Sequence, residues 1–161
     1  MLGRLRDVEG QANTAAELLL VAERLALPRV EAKANLIASN SCLWQGDVIN
    51  ARERALHALR IGESLSEGQD LAICCRAHEM LVLIGMRLGD HQFMRYHAKC
   101  GLDVAQRLGA PSVEVNLRAR LAYAYFMSGS WDESRRCGTK AVALARRVGY
   151  PRTLAYALAE R

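Results

Sequence analysis

Hydrophobic positions along this chain recur at steps of three and four, and glycines interrupt them at regular intervals. The pattern is sharpest between Ser112 and Pro151. Val113, Leu117, Leu121 and Tyr125 lie four residues apart, a spacing that returns to one face of an α-helix. Gly129-Ser130 interrupts that stripe. Ser130 with Glu133 three residues on has the S-x-x-E form of a capping box, which predicts a second helix starting there. Asp132 and Glu133 at its start and Arg146-Arg147 at its end suit the helix dipole. Gly149 and Pro151 mark where it stops. The stretch predicts a helical hairpin.

The rest of the chain repeats that hairpin. Gly46 in Trp-Gln-Gly-Asp, Gly89 in Arg-Leu-Gly-Asp and Gly129 in Ser-Gly-Ser-Trp align at separations of 43 and 40 residues. Nine positions after each stands a small residue: Ala55, Ala98 and Gly138. Twelve after each come Ala58, Gly101 and Ala141, and sixteen after each come Gly62, Ala105 and Ala145. Small residues on one helical face let two helices approach closely, so these columns predict where the helices of each pair touch.

Helices are predicted over roughly Asp7–Leu27, Arg29–Trp44, Asp47–Ser64, Asp70–Leu88 and Asp90–Leu108, before the pair between Ser112 and Pro151. Asp47 is the expected N-cap of its helix, and Ser66 to Gly68 the loop after it. Aligning Pro28 with Pro111 and Pro151 puts Ala15, Leu18 and Ala22 on the repeat columns. The chain then reads as one repeat domain: a half repeat over 1–28, full repeats over 29–68, 69–111 and 112–151, and the start of another over 152–161, with Leu154, Ala155 and Leu158. The missing first half of the opening repeat predicts a segment of a larger protein or an introduced Met1. Open repeat ends make self-association into a homo-oligomer an expectation.

Composition narrows the class. The 161 residues suit one domain, 51% are hydrophobic and 24% charged, and Pro is rare at 3, as in an all-helical protein. No apolar run approaches the roughly 20 residues that cross a bilayer, so no membrane association is expected. Five cysteines without a secretory h-region predict reduced thiols and a cytoplasmic location. The net charge of +5 is spread among acids, so direct nucleic-acid binding is not expected. Arg135, Arg136, Lys140, Arg146 and Arg147 read as a solvated face, with Asp132 and Arg136 as an i,i+4 pair.

Candidate chemistry is thin. No P-loop, dinucleotide fingerprint, G-x-S-x-G or H-E-x-x-H occurs. Cys74 and His78 share a helical face and Cys75 adjoins them, but a zinc site needs two more ligands that no matched Cys or His pair supplies. They read as a buried or half-buried thiol pair near a surface histidine. His91 and His97 read as surface residues, and Cys42, Cys100 and Cys137 as small apolar fillers. No metal, cofactor or enzymatic activity is expected. A convergent acid–base pair such as Glu79 with His78 is the arrangement an enzyme would need.

The repeat columns resemble the tetratricopeptide repeat. Leu117, Leu121, Ala122 and Tyr125 stand where that family has large, large, small and aromatic residues, followed by Gly129, Trp131 and Ala141. The second hairpin keeps Ala77, Leu81, Gly89, Ala98 and Gly101 but has Val82 and Gly85 at the small and aromatic positions. The first keeps Ser39, Gly46, Ala51, Ala55 and Ala58, with Cys42 replacing the aromatic. The family period is about 34 residues. The longer spacing here resembles the superhelical domains of maltose-regulator-type bacterial transcriptional regulators.

The resemblance implies an all-α, right-handed superhelix of antiparallel hairpins, with Trp131 in its core and the first helix of each hairpin lining a concave face. The implied groove residues are Lys33, Leu36, Asn40 and Trp44 on the first hairpin, and Arg76, Glu79, Leu83 and Arg87 on the second. The third adds Asn116, Ala119, Tyr123 and Met127, with Arg120 beside them. Amides, cations and large apolar groups suit a protein or peptide partner, an acidic one included. The expected function is a non-catalytic interaction scaffold within a larger regulator. The alternative is a regulatory domain that senses a small molecule between its helices.

Overall fold

The computed structural model describes residues 2–65 and 70–149. Among these the chain is all-helical with no strand: α1 Leu2–Leu25, α2 Pro28–Gln45, α3 Val48–Ser64, α4 Leu71–Leu88, α5 His91–Leu108, α6 Pro111–Met127 and α7 Trp131–Val148. The loop at 66–68, the stop at Pro151 and the further repeat over 152–161 lie outside the described residues. From α2 onward the helices begin and end within a residue or two of their expected positions. Only α1 differs more, because it starts at Leu2 rather than near Asp7 and stops at Leu25.

One device ends the helices. A residue one or two positions past each of five helices takes a left-handed backbone, and the next N–H reaches back to the carbonyl five residues earlier. The bonds are Leu27 to Ala22, Asp47 to Cys42, Asp90 to Gly85, Ala110 to Ala105 and Ser130 to Tyr125, at 2.9 to 3.0 Å. Glycine occupies the left-handed position at Gly46, Gly89, Gly109 and Gly129. Ala26, with φ of 49°, takes it at the end of α1, where a Cβ is strained by about 1 kcal/mol.

The next helix then starts in one of two ways. Asp47, Asp70 and Asp90 each accept the backbone N–H three residues on, capping α3, α4 and α5. Pro28 and Pro111 sit in the first turn of α2 and α6, where a missing N–H costs nothing. These prolines therefore open the next helix rather than close the last one. Ser130 precedes α7 without a side-chain cap; its N–H goes to the Tyr125 carbonyl at 2.9 Å, and Glu133 pairs with Arg136 at 3.5 Å. The expected capping box is absent. Asp132 likewise bonds Arg135 at 3.0 Å rather than Arg136.

The described residues form two compact units, one ending at Ile84 and the other beginning at Gly85. In the first, α2 packs against both α1 and α3. In the second, α6 packs against both α5 and α7. All nine residues of the small columns are buried. Two hydroxyl-to-carbonyl contacts between paired helices accompany them among the described residues. The Ser39 hydroxyl of α2 donates to the Ala51 carbonyl of α3 at 2.7 Å. In the third hairpin the roles are exchanged: the Ser134 hydroxyl of α7 donates to the Ala122 carbonyl of α6 at 2.9 Å. Both pairs occupy the positions seven before and five after the turn glycine. The corresponding second-hairpin residues, Val82 and Met94, are fully buried and apolar.

The glycines in these columns differ in tightness. A Cβ on Gly62 would stand 2.9 Å from both Cys74 Sγ and Ile73 Cγ2 of α4. One on Gly138 would meet only the Ala122 Cβ, at 3.9 Å. Gly62→Ala is therefore expected to destabilise by about 1–3 kcal/mol through overpacking. Gly138→Ala is expected to stabilise by about 0.5–1 kcal/mol, since only the backbone entropy of glycine is lost. Urea denaturation of the two variants checks the opposite signs.

Candidate functional site

Position on the helix decides which expected groove residues reach solvent. On α4, Ile73, Cys74, Cys75, Ala77, His78, Met80, Leu81, Val82 and Ile84 are all buried. One stripe stays open in the first unit: Ala72 and Arg76 are exposed, and Glu79 and Leu83 half-buried. Steps of four, three and four place them on a single face. Arg76 is already engaged, its Nη1 donating to Glu79 Oε2 at 3.0 Å.

The first unit also carries Lys33 and Trp44, both exposed, Asn40, half-buried, and Leu36, buried at 8% exposure. Trp44 stands out at 58% exposure, unusual for so large an apolar ring. In the second unit Arg87 and Met127 are exposed, and Asn116, Arg120 and Tyr123 are half-buried. Ala119 is a correction: it is 1% exposed and packs with Val115, Ala141, Val142 and Ala145 between α6 and α7. Its step of three from Asn116 carries it round to the α7 side.

Trp131 also departs from expectation. It is 59% exposed and meets only one ring described here, the Phe126 ring, edge to face at 5.1 Å. It is the first residue of α7, ahead of the turn that packs on α6. A column position alone does not reveal that.

The histidines are more buried than expected. His97 is 4% exposed, with the Phe93 and Tyr96 rings edge-on at 4.4 and 5.0 Å. His91 is half-buried, its ring 6.4 Å from Tyr123. His78 is 6% exposed, and burial pulls its pKa from 6.5 down to about 4. Cys74 and Cys75 are buried as expected, and burial pushes the Cys75 thiol up to about 11, with Glu79 adding to the effect. A neutral imidazole beside a protonated thiol makes a poor nucleophilic pair at neutral pH. No group of three His, Cys, Asp or Glu side chains among the described residues could hold a metal ion. Nor is any described helix long and apolar enough to cross a membrane.

Comparison with known proteins rests on shape. No family model matches the chain, and no curated protein does. Among solved structures it is similar to BtubC (BKLC) from P. vanneervenii, with a TM-score of 0.76 and 16% identity over 93% of this chain. The likeness is one of fold. It covers 62% of the BtubC chain, so the present chain spans less than two thirds of that protein's length.

His78 yields a pH test. Between pH 6.5 and about 4 the unfolded chain binds a proton that the buried ring refuses. Stability should therefore fall as pH drops through that window, by up to about 1.4 kcal/mol per pH unit from this group. Below it the contribution should be constant. Urea unfolding of His78→Gln should show a shallower slope over the same range; an unchanged slope contradicts the assignment.

Proposed function

We propose that this chain is a non-catalytic scaffold that binds a protein or peptide along the open faces of the first helices of its hairpins. In this reading the hairpins stack as a tetratricopeptide-like, right-handed superhelix. The chain then serves as the interaction segment of a larger bacterial transcriptional regulator in the cytoplasm. The observation that carries the reading is the open stripe of α4. Between Ile73 and Ile84 every α4 residue but Arg76, Glu79 and Leu83 is buried, and these three form the strip that stays open. A helical repeat has to bury its remaining surface against neighbours, so what stays open is free to be used for recognition.

The composition of these faces supports a peptide. Trp44 and Met127 offer apolar anchors, Lys33 and Arg87 offer cations, and Asn40 and Asn116 offer amides that can bond a backbone. The buried, unreactive Cys75 and the neutral His78 favour binding over catalysis. The fold likeness to BtubC supports a helical array and leaves the partner open.

A pull-down from source lysate, comparing wild type with Trp44→Ala/Arg87→Ala, tests the reading. Both side chains are exposed, so the variant should keep the wild-type melting temperature. A partner captured by the wild type and at least about tenfold depleted on the variant is expected, as for loss of interface anchors. Equal capture contradicts the reading. A metabolite that raises the melting temperature, with no protein captured, would replace it by small-molecule sensing.

A further inference from the structure

Five basic side chains from three helices of the second unit gather around Tyr125 and Cys137. On α5, Arg95 and Lys99 lie one turn apart and both stand over the same Tyr125 ring, at 5.8 and 5.9 Å from its centroid. Arg95 is held there by a hydrogen bond from its Nη1 to the Ser128 hydroxyl. On α7, Arg136 and Lys140 are one turn apart on either side of Cys137. Lys99 joins the two groups, because its charge reaches the Cys137 thiol as well. Burial pushes that thiol up, while Arg118, Lys140, Arg136 and Lys99 all pull it down.

Like charges this close repel, and the fold answers them only at the edges. Arg118 is paired with Glu114, and Arg136 with Glu133 at 3.5 Å. Arg95, Lys99 and Lys140 form no ion pair among the described residues. Lys99 and Lys140 are exposed. In the sequence the five α7-end cations, Arg135 to Arg147, read as a solvated face, because the α5 cations that extend the patch lie some 40 residues away along the chain.

We propose that the surface formed by Arg95, Lys99, Tyr125, Arg136 and Lys140 is a docking site for a short carboxylate-rich peptide segment. The site is separate from the α2, α4 and α6 faces considered above. Charge complementarity selects an acidic occupant, and one feature favours a peptide over a nucleic acid. The Tyr125 ring is already covered by two cations, so it offers no platform on which a base could stack. Binding is electrostatic and therefore weakens with salt.

Fluorescence anisotropy with labelled octaglutamate tests this, and single-stranded oligonucleotide of equal charge serves as the competing probe. Lys99→Glu/Lys140→Glu should weaken octaglutamate binding about tenfold or more. Arg24→Glu/Arg60→Glu, which changes the net charge equally on exposed positions of the first unit, should change it by less than about twofold. Octaglutamate should also slow maleimide labelling of Cys137, read by mass spectrometry, and leave Cys42 unaffected. If the double glutamate variant does not fold, Lys99→Gln/Lys140→Gln replaces it, with a smaller loss in the same direction. Equal weakening by the two charge reversals, no octaglutamate binding, or tighter oligonucleotide binding lost through the same variant would each overturn the proposal.

Discussion

Two helices run side by side at short range only where neither carries a bulky side chain at the crossing. This chain places small residues nine, twelve and sixteen positions past each of three turn glycines, and α2 packs on α3 and α6 on α7. Close approach brings backbone near backbone, and a hydroxyl can then reach across. Ser39 does so from the first helix of its hairpin, and Ser134 from the second helix of its own. The contact is the same whichever helix supplies the oxygen. Where both hydroxyls are missing, Val82 and Met94 fill the positions with apolar volume. The hairpin is therefore defined by a distance that several side-chain combinations satisfy.

The turns follow from the same constraint. Paired helices joined by a few residues need the first to end abruptly. A left-handed residue with its six-residue backbone bond ends it, and an aspartate cap or a proline begins the next helix at once. Only Ala26 does this without glycine. Tight junctions fix which residues of each helix face inward, and by subtraction which stay open. The Arg76–Glu79–Leu83 stripe on α4 is a remainder of that kind, and so is the exposed Trp44 near the end of α2.

Much of this was legible in the sequence. The turn glycines, the Asp47 cap and the small columns mark the helices of the hairpins closely, because each reflects a local backbone need. What escaped was decided by neighbours distant in sequence. His78 and His97 are buried, which their residue type and the polar positions around them did not suggest. Trp131 stands at a column position that is apolar by type yet reaches solvent from the first turn of α7. Glu133 has the spacing of a capping box, but Arg136 one turn on competes for its carboxylate. The basic surface around Tyr125 escaped for the same reason, since it is assembled from α5, α6 and α7. The burial of Ala119, expected in the groove, depends on the side from which α7 approaches.

The central claim is that the hairpins are equivalent at the close contact, so that the bridging hydroxyl can be moved from one helix to the other. The direct measurement is the unfolding free energy of Ser39→Ala and of Ser39→Ala/Ala51→Ser. Removing the hydroxyl should cost about 1 kcal/mol. Placing it on the opposite helix, the arrangement that Ala122 and Ser134 already show, should restore at least half of that loss. A double variant less stable than Ser39→Ala alone would mean that the first and third hairpins share a pattern of residues without sharing the contact.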